Sequence, residues 1–156
     1  MNLLGTPPIA RLPYVLGKLS LLACVAALVA RWWWPAIVRF RHPVLDGLGA
    51  VVLAVGLLVA VVGGMELGAS TRVGLPEEQT ALKTGGLYHY TRNPMYVGAY
   101  LACLAAILWT ANLIVVALAL IVVLVHHQVI LAEERYLTAT FGDAYSDYTT
   151  RVPRYL

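Results

Sequence analysis

"HYTRNPMYVGAY", residues 89–100, sets an arginine, an asparagine and a proline directly in front of a long uncharged run. Proline is well placed at the first helical position, where its missing N–H has no intrahelical partner to lose, and asparagine before it is a favoured cap. A helix is therefore expected to start at Asn93-Pro94. From Asn93 to Ala132 there is no formal charge. As one helix, these roughly forty residues at about 1.5 Å each would measure about 60 Å, twice the hydrocarbon thickness of a bilayer. The run must fold back on itself. Thr110-Ala111-Asn112, just after Trp109, is the expected reversal, giving antiparallel helices over about Pro94 to Trp109 and Leu113 to Glu134.

The rest of the chain fits the same solvent. Of 156 residues 60% are apolar and 12% charged, the make-up of a membrane protein rather than of a soluble globule. Gly47 to Met65 is long enough to cross a bilayer, and Leu19 to Ala30 becomes so with its flanks at Lys18 and Arg31. The first segment also imitates a cleavable signal peptide ending at Ala30, but Arg31 and "WWW" behind it read as an interfacial belt on a retained helix. The expected fold is all-α: one integral membrane bundle of four transmembrane helices with a C-terminal amphipathic helix. Residues 1–69 supply two apolar helices, and residues 70–156 supply a polar loop, the hairpin and the tail.

An even number of crossings puts the N-terminus, the Ser70 to Thr91 loop and the tail on one side. Together they hold about eight of the eleven basic residues, so that side is expected to be cytoplasmic. Arg31, Arg39 and Arg41 run against the rule. The net charge of +3 follows from this layout, and no basic stripe interleaved with aromatics calls for a nucleic acid. Cys24 and Cys103 stand alone in apolar helices and read as packing residues. His126 and His127 are adjacent, point in different directions on a helix and have no third partner at ligand spacing, so no metal is expected.

The two halves differ in texture. Gly56, Ala60 and Gly64 recur every four residues, a spacing for close helix packing. Eight of the nine tyrosines follow position 87, so chemistry belongs to the second half. In the tail, Leu137, Phe141, Tyr145, Tyr148 and Val152 recur at helical spacing with Asp143, Asp147 and Arg151 on another face, which predicts an amphipathic helix.

At the Arg-Asn-Pro junction, free N–H groups and the positive end of the helix dipole lie beside Arg92, a place for an anion such as a carboxylate. Gly98, Ala102 and Ala106 line one face behind it, leaving a groove for another helix or a flat ligand. Glu133 and Glu134 close the antiparallel partner and should neighbour Arg92, with His126 and His127 two turns earlier. Taken singly these are an N-cap, a snorkelling arginine and a packing face. Together they have the polarity of a zwitterion's binding site, such as that of a methionine moiety.

"TGGLYHYTRNPMYVG", a hairpin, and then "EERYLTATFGDAYSDYTTRVPRYL" resemble the integral-membrane methyltransferases of the isoprenylcysteine carboxyl methyltransferase and phospholipid N-methyltransferase group. The likeness runs from about Thr84 to Tyr155. It implies S-adenosylmethionine as methyl donor and a lipophilic acceptor, a prenylated cysteine or a lipid amine, arriving from the membrane. Carried over by position, Tyr88, Arg92, Asn93, Pro94, Tyr96 and Gly98 form the start of the cofactor pocket, with Glu133 and Glu134 closing it. Tyr145, Tyr148, Arg151 and Arg154 belong to the tail that covers it. Arg92, Glu134 and His127 are the expected catalytic residues. Asn93 stands where the group often has histidine, so any imidazole role there is lost. Membrane sterol reductases, which use a nicotinamide cofactor, are similar in this half but usually carry Asn after the proline and Glu after the glycine; Met95 and Ala99 stand there instead, favouring methyl transfer. A four-helix transporter would call for an acid in mid-membrane, whereas Asp46 and Glu66 fall near helix ends.

Overall fold

The computed structural model describes residues 9–67 and 82–156; most of the Ser70 to Thr91 loop lies outside the described residues. These form five α-helices: α1 (Arg11–Ala30), α2 (Pro43–Leu67), α3 (Pro94–Thr110), α4 (Leu113–Phe141) and α5 (Asp143–Arg151). Among the described residues there is no strand. Helices α1, α2 and α4 are long and apolar enough to cross a membrane, and α3, at 17 residues, is a shorter apolar helix. Large side chains such as Leu22, Leu58, Val61 and Leu124 are exposed on their outer faces. Such a surface is compatible with lipid and not with water.

Small residues set how closely α2 and α3 approach. A Cβ placed on Gly98 would meet the Gly56 carbonyl oxygen at 2.5 Å and the Ala60 Cβ at 2.7 Å, and Gly63 faces Pro94. The groove expected beside Gly98 is therefore filled by α2, leaving no room for a flat ligand. Between α1, α3 and α4 lies the core, built on Cys24, Ala27, Cys103, Ala106, Val115 and Val122. Both cysteines are free and buried, as packing residues would be.

The reversal falls at the expected place. Ala111 takes the left-handed conformation (φ 47°), and the Asn112 side chain accepts the Ile114 N–H at 2.9 Å, capping α4 while donating to the Ile37 carbonyl. On the same end of the bundle Arg31 lies against the rings of Trp32 and Trp109 and pairs with Asp46 at 3.2 Å.

At the opposite end the tail differs from expectation. Helix α4 continues about two turns past Glu134 to Phe141, so Leu137 and Phe141 belong to it. Gly142, with φ 53° and ψ −127°, then breaks the chain in a backbone region open essentially to glycine alone, and α5 starts afresh. The helical spacing seen across Leu137 to Val152 spans this break. Leu137 and Phe141 still pack beside the buried Tyr145, Tyr148 and Val152, which is why the pattern reads as one helix.

Candidate functional site

Thr91-Arg92-Asn93 forms the turn into α3, and the last described residues are stitched onto it. The Arg92 N–H donates to the Pro153 carbonyl at 3.0 Å. Both the Thr91 hydroxyl (3.2 Å) and the Asn93 side-chain amide (3.0 Å) donate to the Arg154 carbonyl. Asn93 is thus not the helix cap its position suggests: its side chain holds the tail, and α3 starts at Pro94 with no side-chain cap. The first turn of α3 keeps the positive end of its dipole free for another anion.

Arg92 and Glu134 meet, as the antiparallel hairpin requires, but as a direct ion pair at 2.9 Å rather than across a ligand-sized gap. The Glu134 carboxylate also takes Arg154 side-on, Oε1 accepting from Nε at 2.9 Å and Oε2 from Nη2 at 2.7 Å. One carboxylate thus serves two guanidiniums. The Arg92 and Glu134 side chains are 12% and 14% exposed, against 33% for Arg154, so the inner pair is screened far less than the outer one. Hydrogen bonding to Glu134 raises the Arg154 pKa further above its ordinary value. Arg92 still has capacity: its Nε is buried with no hydrogen-bond partner among the described residues.

Helix α5 covers this cluster with two tyrosines. The Tyr148 hydroxyl donates to the Tyr88 carbonyl at 2.5 Å, and the Tyr88 hydroxyl donates to the Gly63 carbonyl of α2 at 3.4 Å. Burial pushes both phenols up to about 12. Burial also raises Tyr145, an effect that Arg92 beside it opposes. Just upstream, Gly86 adopts φ 61° where a Cβ would strike the Glu66 carboxylate, which instead accepts the Leu87 N–H at 2.8 Å.

A second polar group runs down α3 and α4. Tyr96 donates to Glu133 at 3.0 Å, its ring meets His126 edge-on at 5.2 Å, and His126 stacks on Tyr100 at 6.2 Å. Tyr100 touches Tyr155, whose hydroxyl lies 2.8 Å from His127 Nδ1. Tyr100, His127 and Tyr155 form the polar end of a cavity of about 650 Å³ walled by Ile9, Pro13, Val123, Leu124, Val125 and Gln128.

Of the residues anticipated from sequence, the structure gathers Arg92, Asn93, Glu134, Arg154 and Tyr145 around one point, with Tyr88 and Tyr148 bracing it. Tyr96 and Glu133 form a neighbouring pair, and His127 lies two turns away on the cavity. Pro94 and Gly98 serve the α2 contact instead. Arg151 is exposed and turns its Nε to the Asp147 carbonyl at 3.2 Å, apart from the cluster. Tyr100 and Tyr155 were not anticipated. Tyr100, four residues after Tyr96, shares its helical face and carried a readable signal; Tyr155 carried none.

A family model described as phospholipid methyltransferase matches residues 44–144, well over half of the chain. The chain belongs to this family. Over 73 residues it is 37% identical to protein-S-isoprenylcysteine O-methyltransferase of Schizosaccharomyces pombe (strain 972 / ATCC 24843), covering 46% of this chain and 31% of that protein. Its fold is that of the eukaryotic intramembrane Ras methyltransferase ICMT (isoprenylcysteine carboxyl methyltransferase), with a TM-score of 0.69 at 24% identity over 92% of this chain and 52% of that one. The chain spans about half the length of these relatives or less. Within the phospholipid methyltransferase match lie Arg92, His127, Glu133 and Glu134, whereas Tyr145, Tyr148 and the Pro153–Tyr155 strap fall beyond its end at 144.

Proposed function

We propose that this chain is an S-adenosylmethionine-dependent methyltransferase acting on a lipophilic acceptor. In this reading α1 to α4 all cross the membrane, α5 lies at the surface, and the site faces the cytoplasm. The observation that carries it is the buried, unpartnered Arg92 Nε at the uncapped start of α3, beside a carboxylate pair. Those groups suit the methionine moiety of the donor: Arg92 Nε and the α3 N–H groups for its carboxylate, Glu133 for its ammonium. Glu134, saturated by two arginines, acts as the brace that aims Arg92 and no longer as a ligand-facing group.

When bound, S-adenosylmethionine supplies an activated methyl group, the carbon–sulfur bond breaking with its electron pair left on sulfur. The acceptor's lone pair forms the new bond to carbon, so the protein must align the two and exclude water. The strap over the Thr91 to Asn93 turn, with Tyr145 and Tyr148, provides that cover. An acceptor that carries a proton must give it up. Glu134 can take one only by losing its arginines, so His127, 2.8 Å from the Tyr155 hydroxyl, is the base in this reading: in the tautomer whose Nδ1–H donates to that hydroxyl, Nε2 keeps its lone pair for the proton.

The test is a binding titration of the purified, detergent-solubilised protein with S-adenosylhomocysteine and, separately, with NADPH. Saturable binding of S-adenosylhomocysteine alone is expected. Binding of NADPH alone would replace methyl transfer by the reductase reading.

A further inference from the structure

The end of the bundle opposite Arg92 and Glu134 carries charge that the proposed function does not use. Between α1 and α2 the chain reads "RWWWPAIVRFRH", residues 31–42, with three arginines on the side proposed to face away from the cytoplasm. Basic residues are scarce on loops carried across a membrane, so their presence needs a physical reason. For Arg31 the reason is inside the fold: it pairs with Asp46 at 3.2 Å and lies against the rings of Trp32 and Trp109. Arg39 and Arg41 are different. Both are exposed, and among the described residues neither side chain meets an acid. Asp46, already paired, is the only acid between Ala30 and Met65, and the α3–α4 reversal on which the loop rests is uncharged.

The loop is fixed before anything binds to it. The Arg39 N–H donates to the Thr110 carbonyl at 2.8 Å, the Asn112 amide to the Ile37 carbonyl at 2.9 Å, and the Trp109 indole to the Asp46 carbonyl at 2.9 Å. On this base Trp32, Trp33 and Trp34 stand 69%, 78% and 72% exposed, and Phe40 between the two free arginines is exposed as well. An aromatic ring with a polar edge is at home where headgroups meet acyl chains. At that depth guanidiniums lie among lipid phosphates, which they can take side-on. A zwitterionic headgroup brings its own ammonium against the arginines, so the fit favours a headgroup of net negative charge.

We infer that the α1–α2 loop is a binding surface for anionic phospholipid in the leaflet away from the proposed methyl-transfer site. Arg39 and Arg41 hold the headgroup, and Trp32, Trp33, Trp34 and Phe40 sit at the acyl boundary. This lipid is a bound neighbour and not a methyl acceptor, and the inference stands apart from the methyl-transfer reading.

All four tryptophans of the chain, Trp32, Trp33, Trp34 and Trp109, lie at this end, so intrinsic fluorescence reports on it alone. The full chain is reconstituted into vesicles of phosphatidylcholine mixed with phosphatidylglycerol, with quenching bromine high on an acyl chain of each lipid in turn. Titrating the mole fraction gives the association constant of one lipid relative to the other. It should favour phosphatidylglycerol by about three- to tenfold, the scale of two exposed ion pairs. Arg39→Gln combined with Arg41→Gln should bring the ratio to about one, and because both side chains are exposed and unpaired the fold is kept. Arg135→Gln, the same charge change on an exposed residue at the other end, should leave the ratio as it was. Inorganic phosphate should leave it too, when compared with sodium chloride at equal ionic strength. A ratio of one for the unaltered chain overturns the inference, as does a preference that survives the double substitution or is lost equally with Arg135→Gln. Loss of the preference to inorganic phosphate alone would assign the arginines to a free anion and overturn it as well.

Discussion

Replacing Glu134 by glutamine removes the one anion between two cations. Two hydrogen bonds from Arg154, of 2.9 and 2.7 Å, and an ion pair to Arg92 at 2.9 Å converge on its carboxylate. Breaking a buried ion pair by neutralising one partner costs about 3–5 kcal/mol, because the other charge is left stranded. Arg92, 12% exposed, meets that description. Arg154, a third exposed, recovers water, and its share is discounted to about 1 kcal/mol or less. Glutamine keeps one carbonyl oxygen as acceptor, restoring about 1 kcal/mol. The net loss expected for Glu134→Gln is therefore about 2–4 kcal/mol, or roughly 5–15 °C in the unfolding midpoint of a chain this size. Arg154→Gln leaves the inner pair intact and should lose no more than about 1 kcal/mol. The assay is thermal unfolding of both variants in one detergent. If Glu134→Gln loses no more stability than Arg154→Gln, the inner pair does not brace the fold and the argument fails.

Two further outcomes follow from the fold and the tail. Gly98→Ala forces a Cβ against the Gly56 carbonyl and Ala60, and should lose about 1–3 kcal/mol by denaturant unfolding, whereas Gly47→Ala, which meets nothing within 4 Å, should be neutral or gain up to about 1 kcal/mol. Because burial holds the Tyr88 and Tyr148 hydroxyls up to about 12, the folded protein keeps them protonated where the unfolded chain ionises near pH 10. Their contribution is whole below about pH 10 and is lost as pH rises towards about 12. Unfolding midpoints measured between pH 8 and 12 should fall only in that upper window, and a flat profile would remove the tyrosines from the tail's anchorage.

What could be read from the residues, and what could not, divides by the range of the physics. The start at Pro94, the reversal at Ala111-Asn112 and the nearness of Arg92 to Glu134 follow from local geometry: a proline without N–H, a run too long for a bilayer, and antiparallel helices on which Arg92 and Glu134 lie similar distances from the reversal. The role of Asn93 does not. Its side chain has a capping option within the next helical turn and a tail carbonyl sixty-one residues on, and only the folded tail decides for the second. The same holds for Glu134, whose partner Arg154 lies beyond a helix break at Gly142. Helical spacing carried across that glycine joined two segments into one. The apolar cavity was invisible because its aliphatic walls have the same composition as any lipid-facing surface.

The stitching of Pro153 and Arg154 to the Thr91 to Asn93 turn sets an order of events during synthesis. Once α3 and α4 have formed, Arg92 and Glu134 can pair, but the Thr91 hydroxyl, the Arg92 N–H and the Asn93 amide have no partners until Pro153 and Arg154, some sixty residues beyond the turn, have folded back onto it. The membrane hairpin is inserted with its polar turn still open to the cytoplasm in the proposed orientation. Only the arrival of Pro153 and Arg154 closes it. A chain cut short within α5 would be inserted but unsealed, so competence to bind should appear abruptly once Pro153 and Arg154 are present rather than grow with each helix.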